Sequence, residues 1–266
     1  MPELLRTFET PAGAVRVFSD AASACHAAAD RIAEAIRQAT AARGQAVLGL
    51  ATGGSPIAVY RRLVEEHRQG RLSWSQVATY NLDEYYPIAP TDPNSYRAYM
   101  HRHLFDHVDL APNRAHVLDG TVPEAFADEH AAAFDRWIAA DGGLDLQLLG
   151  IGRNGHIGFN EPSDRPVAEA LALPSRLESL HPVTLADAAR DFGGHESLVP
   201  RRALTVGTAT ILAARSILVL AFGAHKAEAV ARAIRGPLAS ACPGSFLQTA
   251  APKVIWFLDP AAARGL

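Results

Sequence analysis

The stretch GIGRNGHIGFNEP, residues 150–162, holds His156 and Glu161 five positions apart, with Asn154 two residues before the histidine. An imidazole moves protons near neutral pH, and a carboxylate beside it fixes its tautomer and orientation. No serine or cysteine stands next to the pair, so these groups suit proton shuttling rather than covalent catalysis. The four glycines of the stretch imply unusual dihedrals or a backbone lying close to a ligand. A second acidic stretch, NLDEYYP (81–87), sets Asp83 beside Glu84 just past an apolar run. Neighbours on a continuing strand point to opposite faces, so at most one of the two faces a shared crevice. A carboxylate buried there has its pKa raised and can serve as a general base. The competing reading is a turn aspartate satisfied by local hydrogen bonds.

Three further features point to an anion. LATGGSP (50–56) follows an apolar run with Gly53, Gly54 and Ser55 at the start of a helical pattern. Two glycines let the backbone approach a ligand, and a new helix offers unpaired N–H groups at its positive end, which suits phosphate. The stretch lacks the GKS/T ending of a P-loop. Lys226 sits in the first turn of a helix, where the dipole disfavours a cation unless it reaches toward an anion. Arg190 ends a helical segment before a glycine pair. Taken singly, Lys226 and Arg190 read equally as solvated surface charges. His101, His103 and His107 in HRHLFDH have metal-like spacing, and His103 and His107 would share one helix face. With no further ligand in sight, an ordinary helix is the better reading, and no metal is expected.

The elements that must position these groups alternate along the chain. Apolar runs at 14–18, 45–52, 76–82, 144–152, 216–223 and 253–259, together with ALTV, read as strands. Amphipathic segments between them read as helices, the first capped by Asp20. The stretch 162–179, interrupted by prolines, fits no element. The pattern predicts an α/β, Rossmann-like, three-layer, doubly wound and mostly parallel sheet, formed by one domain over 1–266. In such sheets ligands sit outside the carboxyl ends of the strands, where the marked loops would converge.

Composition bounds the partners. The chain has 266 residues, 48% hydrophobic and 20% charged, with net charge -3. That balance argues against a nucleic-acid binder. Two cysteines, Cys25 and Cys242, give neither a disulfide framework nor a CxxC metal spacing. No signal-peptide core opens the chain, and no apolar run approaches the ~18 residues of a membrane span. A reduced, cytoplasmic protein without a membrane partner is expected.

Taken together, GLATGGSP, YNLDEYY, NSYRAYMHRHLFDHVD, GIGRNGHIGFNEP and ALTVGTATIL resemble the glucosamine-6-phosphate deaminases, in register over most of the chain. The resemblance implies conversion of glucosamine 6-phosphate and water to fructose 6-phosphate and ammonia, without an organic cofactor. It implies that His156 opens the pyranose ring, that Glu161 orients and charge-balances it, and that Asn154 helps to hold it. It makes Asp83 the base at C2, and gives the substrate phosphate to Gly53, Gly54, Ser55, Arg190 and Lys226. The substrate would thus be a small amino-sugar phosphate, and a homo-oligomer is compatible with the family.

There are departures from the family pattern. The segment after Glu161 is longer than usual. FLQTAAPK lacks the usual histidine, and Glu178 stands nearest the lysine of the effector region in allosteric members. Activation by N-acetylglucosamine 6-phosphate is therefore not expected. The rival readings are the same chemistry on galactosamine 6-phosphate, a 6-phosphogluconolactonase, and an inactive sugar-phosphate sensor. The lactonases usually read Asp-Glu-Arg where this chain has Asp83-Glu84-Tyr85, and they lack the counterpart of Glu161. Sensors usually carry a helix-turn-helix, for which neither end has room.

Overall fold

Continuous apolar runs become buried strands in the computed structural model, which describes residues 2–266. The chain opens with an antiparallel hairpin of β1 (Leu4–Thr10) and β2 (Gly13–Phe18). It then enters α1 (Ala21–Arg43), where the Asp20 carboxylate accepts from the Ser23 N–H at 2.7 Å, the cap the sequence predicts. Next come β3 (Ala46–Leu50), α2 (Ile57–Arg68), β4 (Val77–Asn81), β5 (Asp83–Tyr86), α3 (Tyr96–His103) and β6 (Ala115–His116). The middle of the chain forms α4 (Ala127–Ala140), β7 (Leu146–Gly150), α5 (Val167–Leu171), β8 (Arg176–Ser179) and α6 (Pro182–Ala188). The last elements are β9 (Arg202–Thr205), α7 (Thr208–Ala213), β10 (Ile217–Ala221), α8 (Ala227–Arg235) and β11 (Val254–Leu258).

Eight strands form the central sheet in the order β1-β2-β11-β10-β7-β3-β4-β6. Only the β1–β2 pairing is antiparallel, so the expected α/β architecture with a mostly parallel sheet is what forms. The buried face of α1 runs Ala24, Cys25, Ala28, Ala29, Ile32, Ala33 and Ile36. Its many alanines let the helix lie close to the sheet and to α2. Trp256 on β11 is fully buried and its indole N–H donates to the Ala12 carbonyl at 2.9 Å, which ties β11 to the first hairpin. Burying a side chain of this size stabilises the fold by roughly 2–3 kcal/mol.

A second, three-stranded antiparallel sheet, β5-β9-β8, lies apart from the first. It packs on a separate apolar cluster that includes Tyr85, Phe159, Leu180, Leu185, Phe192 and Ala203. Here the structure departs from the sequence reading. DEYY is neither a continuation of β4 nor a turn but a separate strand, β5, and ALTV (β9) pairs with it rather than with the central sheet. The unassigned stretch 162–179 contains α5 and β8. The hairpin strand β1 carries no strand signal in the sequence, because it is largely exposed and lacks an apolar run. No helix among the described residues is long and apolar enough to cross a membrane.

Candidate active site

Sheet topology brings the glycine-rich loops together. From β3 the chain builds outward through β4 to β6, then returns to lay β7 on the other side of β3. The order reverses between these two neighbours, and at such a switch point the loops beyond the strand ends diverge and leave a crevice. The loops after β3 and β7 are the stretches singled out above, at 51–56 and 151–162. Between them lies a cleft of about 220 Å³. Asp83, His156, Lys226, Arg190 and the Gly53–Ser55 backbone all line it, whereas Asn154 and Glu161 stand behind His156.

His156 is held by several partners. Its Nδ1 lies 3.2 Å from Thr184 Oγ1 and 3.4 Å from Glu161 Oε2. The Asn154 side chain does two jobs: its oxygen accepts from the His156 backbone N–H at 3.2 Å, and its amide donates to Glu161 Oε2 at 3.0 Å. The N–H of His181, at the start of α6, donates to Glu161 Oε1 at 3.2 Å. Burial works to raise the Glu161 carboxyl, but the hydrogen bond and charge of His156, with Thr184 and the His181 N–H, hold it below the ordinary value. Gly152 leaves the space the ring needs, since a Cβ there would sit 2.4–2.6 Å from three ring atoms. Further along, Asn160 donates to the carbonyls of Ile157 and Val206, both at 2.9 Å, and so pins the return of the loop.

Asp83 reaches the cleft from β5 and is 6% exposed. Burial, joined by the charge of Glu84, pushes its carboxyl up to about 8. Glu84 points the other way, as strand alternation requires. It accepts from Ser95 Oγ at 2.7 Å and from the N–H groups of Tyr96 and Arg97 at 2.9 and 3.0 Å, all at the start of α3. Tyr85 and Tyr96 add an aromatic wall beside Asp83, their rings 4.9 Å apart.

The same cleft also has an electropositive lining. Gly53 takes φ 94°, a left-handed conformation that favours glycine, and its carbonyl accepts from the Tyr99 hydroxyl at 2.7 Å. Pro56 precedes α2 without a side-chain cap, so the first N–H groups of this helix are left for a ligand. Lys226 is the cap residue of α8 rather than part of its first turn. Burial lowers its ammonium pKa, opposed by the nearby charge of Asp187. Arg190 follows α6 in a 3-10 turn that Gly193 ends. Its side chain is 77% exposed at the mouth and paired with Asp191.

Thr184, Asp187 and the aromatic wall were not singled out from the sequence. Thr184 and Asp187 belong to α6, just beyond the unassigned stretch, and no spacing pattern links them to residue 156. The histidines of HRHLFDH part company: α3 stops at His103, and His107 lies in a following 3-10 turn. His101 pairs with Asp106, and the His103 ring packs at a tilt against Tyr99, with ring centres 4.5 Å apart. No cluster of three or more metal-ligating side chains occurs among the described residues.

Comparison with known proteins gives a consistent result. The family described as glucosamine-6-phosphate isomerases/6-phosphogluconolactonase matches residues 19–256. A glucosamine-6-phosphate deaminase of Rhodopirellula baltica is 46% identical over 249 residues, covering 94% of each chain. The enzyme of that name from Cellvibrio japonicus is 40% identical over 255 residues, covering 95% of this chain and 91% of its own. Among solved structures, a monomeric glucosamine-6-phosphate deaminase superposes with a TM-score of 0.87 at 35% identity, covering 95% of this chain and 99% of its own. The 6-phosphogluconolactonase of Trypanosoma brucei has a TM-score of 0.74 at 20% identity, covering 98% of this chain and all of its own, a likeness of fold alone.

Proposed function

Since the chain belongs to the family of glucosamine-6-phosphate isomerases and 6-phosphogluconolactonases, we propose that it converts glucosamine 6-phosphate and water to fructose 6-phosphate and ammonia. One observation carries the reading. Two proton-transfer groups, His156 and Asp83, reach one cleft from separate elements, and the Gly53–Ser55 backbone and Lys226 line the same cleft. An aldose–ketose step needs two such groups, because ring opening and carbon deprotonation occur at different atoms.

The substrate phosphate docks on the Gly53 and Gly54 backbone, the Ser55 hydroxyl, Lys226 and Arg190. Binding energy from this unreactive group holds C1 and C2 in place. His156 moves a proton from the anomeric hydroxyl to the ring oxygen and opens the ring, while Glu161 and Asn154 keep the imidazole oriented. Asp83, ionised, takes the proton from C2 and returns it to C1. Loss of the C2 proton, with a proton of the substrate ammonium passing to O1, gives an enolamine; return of the proton to C1 gives an imine at C2, which water hydrolyses to the ketone with release of ammonia. All of these steps are proton transfers and one hydrolysis, and no redox change occurs. The whole of 1–266 acts as a single sugar-phosphate isomerase/deaminase domain in this reading.

The test is ammonia release from glucosamine 6-phosphate by the purified protein, with fructose 6-phosphate followed in parallel. Equimolar appearance of both products is expected. A folded sample that releases neither would overturn the assignment.

A further inference from the structure

The His156 ring has two side-chain partners, and both meet Nδ1. The direct contact with Glu161, at 3.4 Å, is longer than an ordinary N–H···O bond of about 2.7–3.2 Å. The Thr184 hydroxyl, at 3.2 Å, is the closer of the two. Thr184 is 4% exposed, so its hydroxyl must find its partner inside the protein. It is placed by the first turn of α6, the same turn that sends the His181 N–H to Glu161 Oε1 at 3.2 Å. Opposite it, the Gly152 backbone closes on the ring so tightly that a Cβ would overlap it. The imidazole is thus clamped between Gly152 and α6.

Electrostatics decides where the ring proton sits. An ionised carboxylate only accepts, so a bare Nδ1 lone pair facing Glu161 would be repelled. Nδ1 therefore carries hydrogen in the neutral ring, and the nearest acceptor is Thr184 Oγ1. We propose that Thr184 is a positioning residue, whose oxygen accepts the Nδ1–H of His156 and fixes the neutral tautomer with an unprotonated Nε2 facing the cleft. The Thr184 hydroxyl hydrogen is then free to turn toward Glu161, whose negative charge it helps to hold. The kinetic consequence rests on the function proposed above. In ring opening, Nε2 takes the anomeric proton and returns it to the ring oxygen, while the Nδ1 proton stays in place. Glu161 stabilises the transient imidazolium but need not itself be protonated.

The experiment has a spectroscopic arm and a kinetic arm. Long-range 1H–15N correlation spectra of the unliganded protein read the tautomer of His156 directly. Wild type and Thr184→Ser are expected to show a protonated Nδ1 and a bare Nε2, whereas Thr184→Val shows a mixture of tautomers. With glucosamine 6-phosphate, Thr184→Val should lower kcat by at least ~10-fold with KM little changed, because only the orientation of the base is lost. Thr184→Ser should recover most of that loss. A wild-type ring protonated at Nε2 would overturn the proposal whether or not the valine variant folds. So would a serine variant as slow as the valine one, which would assign Thr184 a role in shape alone. The spectra judge Thr184 even if the wild-type protein releases no ammonia, a result that would count against the function instead.

Discussion

Replacing Asp83 with asparagine is expected to stop turnover and, at neutral pH, to make the folded protein more stable. Burial and the neighbouring charge of Glu84 raise this carboxyl from its ordinary 3.8 to about 8. An acid with a higher pKa in the fold than in the unfolded chain holds its proton more tightly when folded. Below about pH 4 both states are protonated and the group makes no difference to stability. As pH rises the unfolded chain ionises first, and the fold loses ~1.4 kcal/mol for each pH unit until the folded group also ionises near pH 8. At pH ~7 the penalty is on the order of 4 kcal/mol. Asparagine keeps the shape and removes the penalty, but its buried amide recovers only part of it, leaving a gain of roughly 2–3 kcal/mol. Urea unfolding of both proteins across this range should show an advantage of the variant that grows toward pH ~8, vanishes as pH falls, and turns into a deficit of about 1–2 kcal/mol near pH ~4, where only the cost of the buried amide remains. A gap independent of pH, or a variant less stable throughout, would refute the burial argument. The same variant should lose turnover by at least ~100-fold while still binding substrate. A near-normal rate would remove Asp83 as the base.

The raised carboxyl also sets the pH profile: kcat/KM should climb with pH toward about 8 as Asp83 ionises in the free enzyme, and a flat profile over that range would contradict it. Lys226→Ala should raise KM for the phosphorylated sugar by ~10-fold or more with a smaller effect on kcat, since a phosphate contact acts before and during the reaction alike. An unchanged KM would take Lys226 out of the anion site. Gly152→Ala should displace the His156 ring and lower kcat by ~100-fold, the cost of misplacing a reacting group by about an ångström. Near-wild-type kcat in a variant with an unaltered circular dichroism spectrum would show that the ring has room to move. Finally, Glu178 puts a carboxylate, paired with Arg176 at 2.9 Å, nearest the place where allosteric members carry the effector-region lysine. Steady-state kinetics should therefore be hyperbolic and unchanged by N-acetylglucosamine 6-phosphate. A sigmoidal curve that straightens on adding it would overturn this expectation.

What could be read from the sequence was what depends on neighbours in the chain. Strands of the central sheet are largely buried on both faces, so β3, β10 and β11 announce themselves as unbroken apolar runs, and β4 and β7 as runs interrupted only by Thr79 and Asn81 and by Gln147. The loops after β3 and β7 were legible because glycine clusters have few other uses. What stayed hidden depends on contacts across long sequence separations. β8 pairs only with β9, some 25 positions on, and its residues are half exposed, so no apolar pattern marks it. Thr184 is 28 positions from the histidine it touches, on the short helix α6 that opens at Pro182, and no local pattern links the two. Arg190 and Lys226 were legible as odd charges, but the carboxylates that face them, Asp191 and Asp187, were not.

Asp83 and Glu84 show most directly why residue type alone does not assign a role. They are adjacent, chemically alike and both buried, and alternation along β5 sends them to opposite faces. Glu84 meets the open N-terminus of α3, where a hydroxyl and backbone N–H groups satisfy it. Burial still raises its carboxyl, but every one of these bonds pulls the other way. Its oxygens are occupied in holding β5 against α3. Asp83 receives no such compensation: burial and the charge of Glu84 both push its carboxyl up, and its oxygens face open cleft. A carboxylate that is costly to ionise and has no competing partner is the better proton acceptor once substrate arrives. Glu84 thus contributes in two ways: it anchors the strand that carries Asp83, and its charge helps to keep that carboxyl basic.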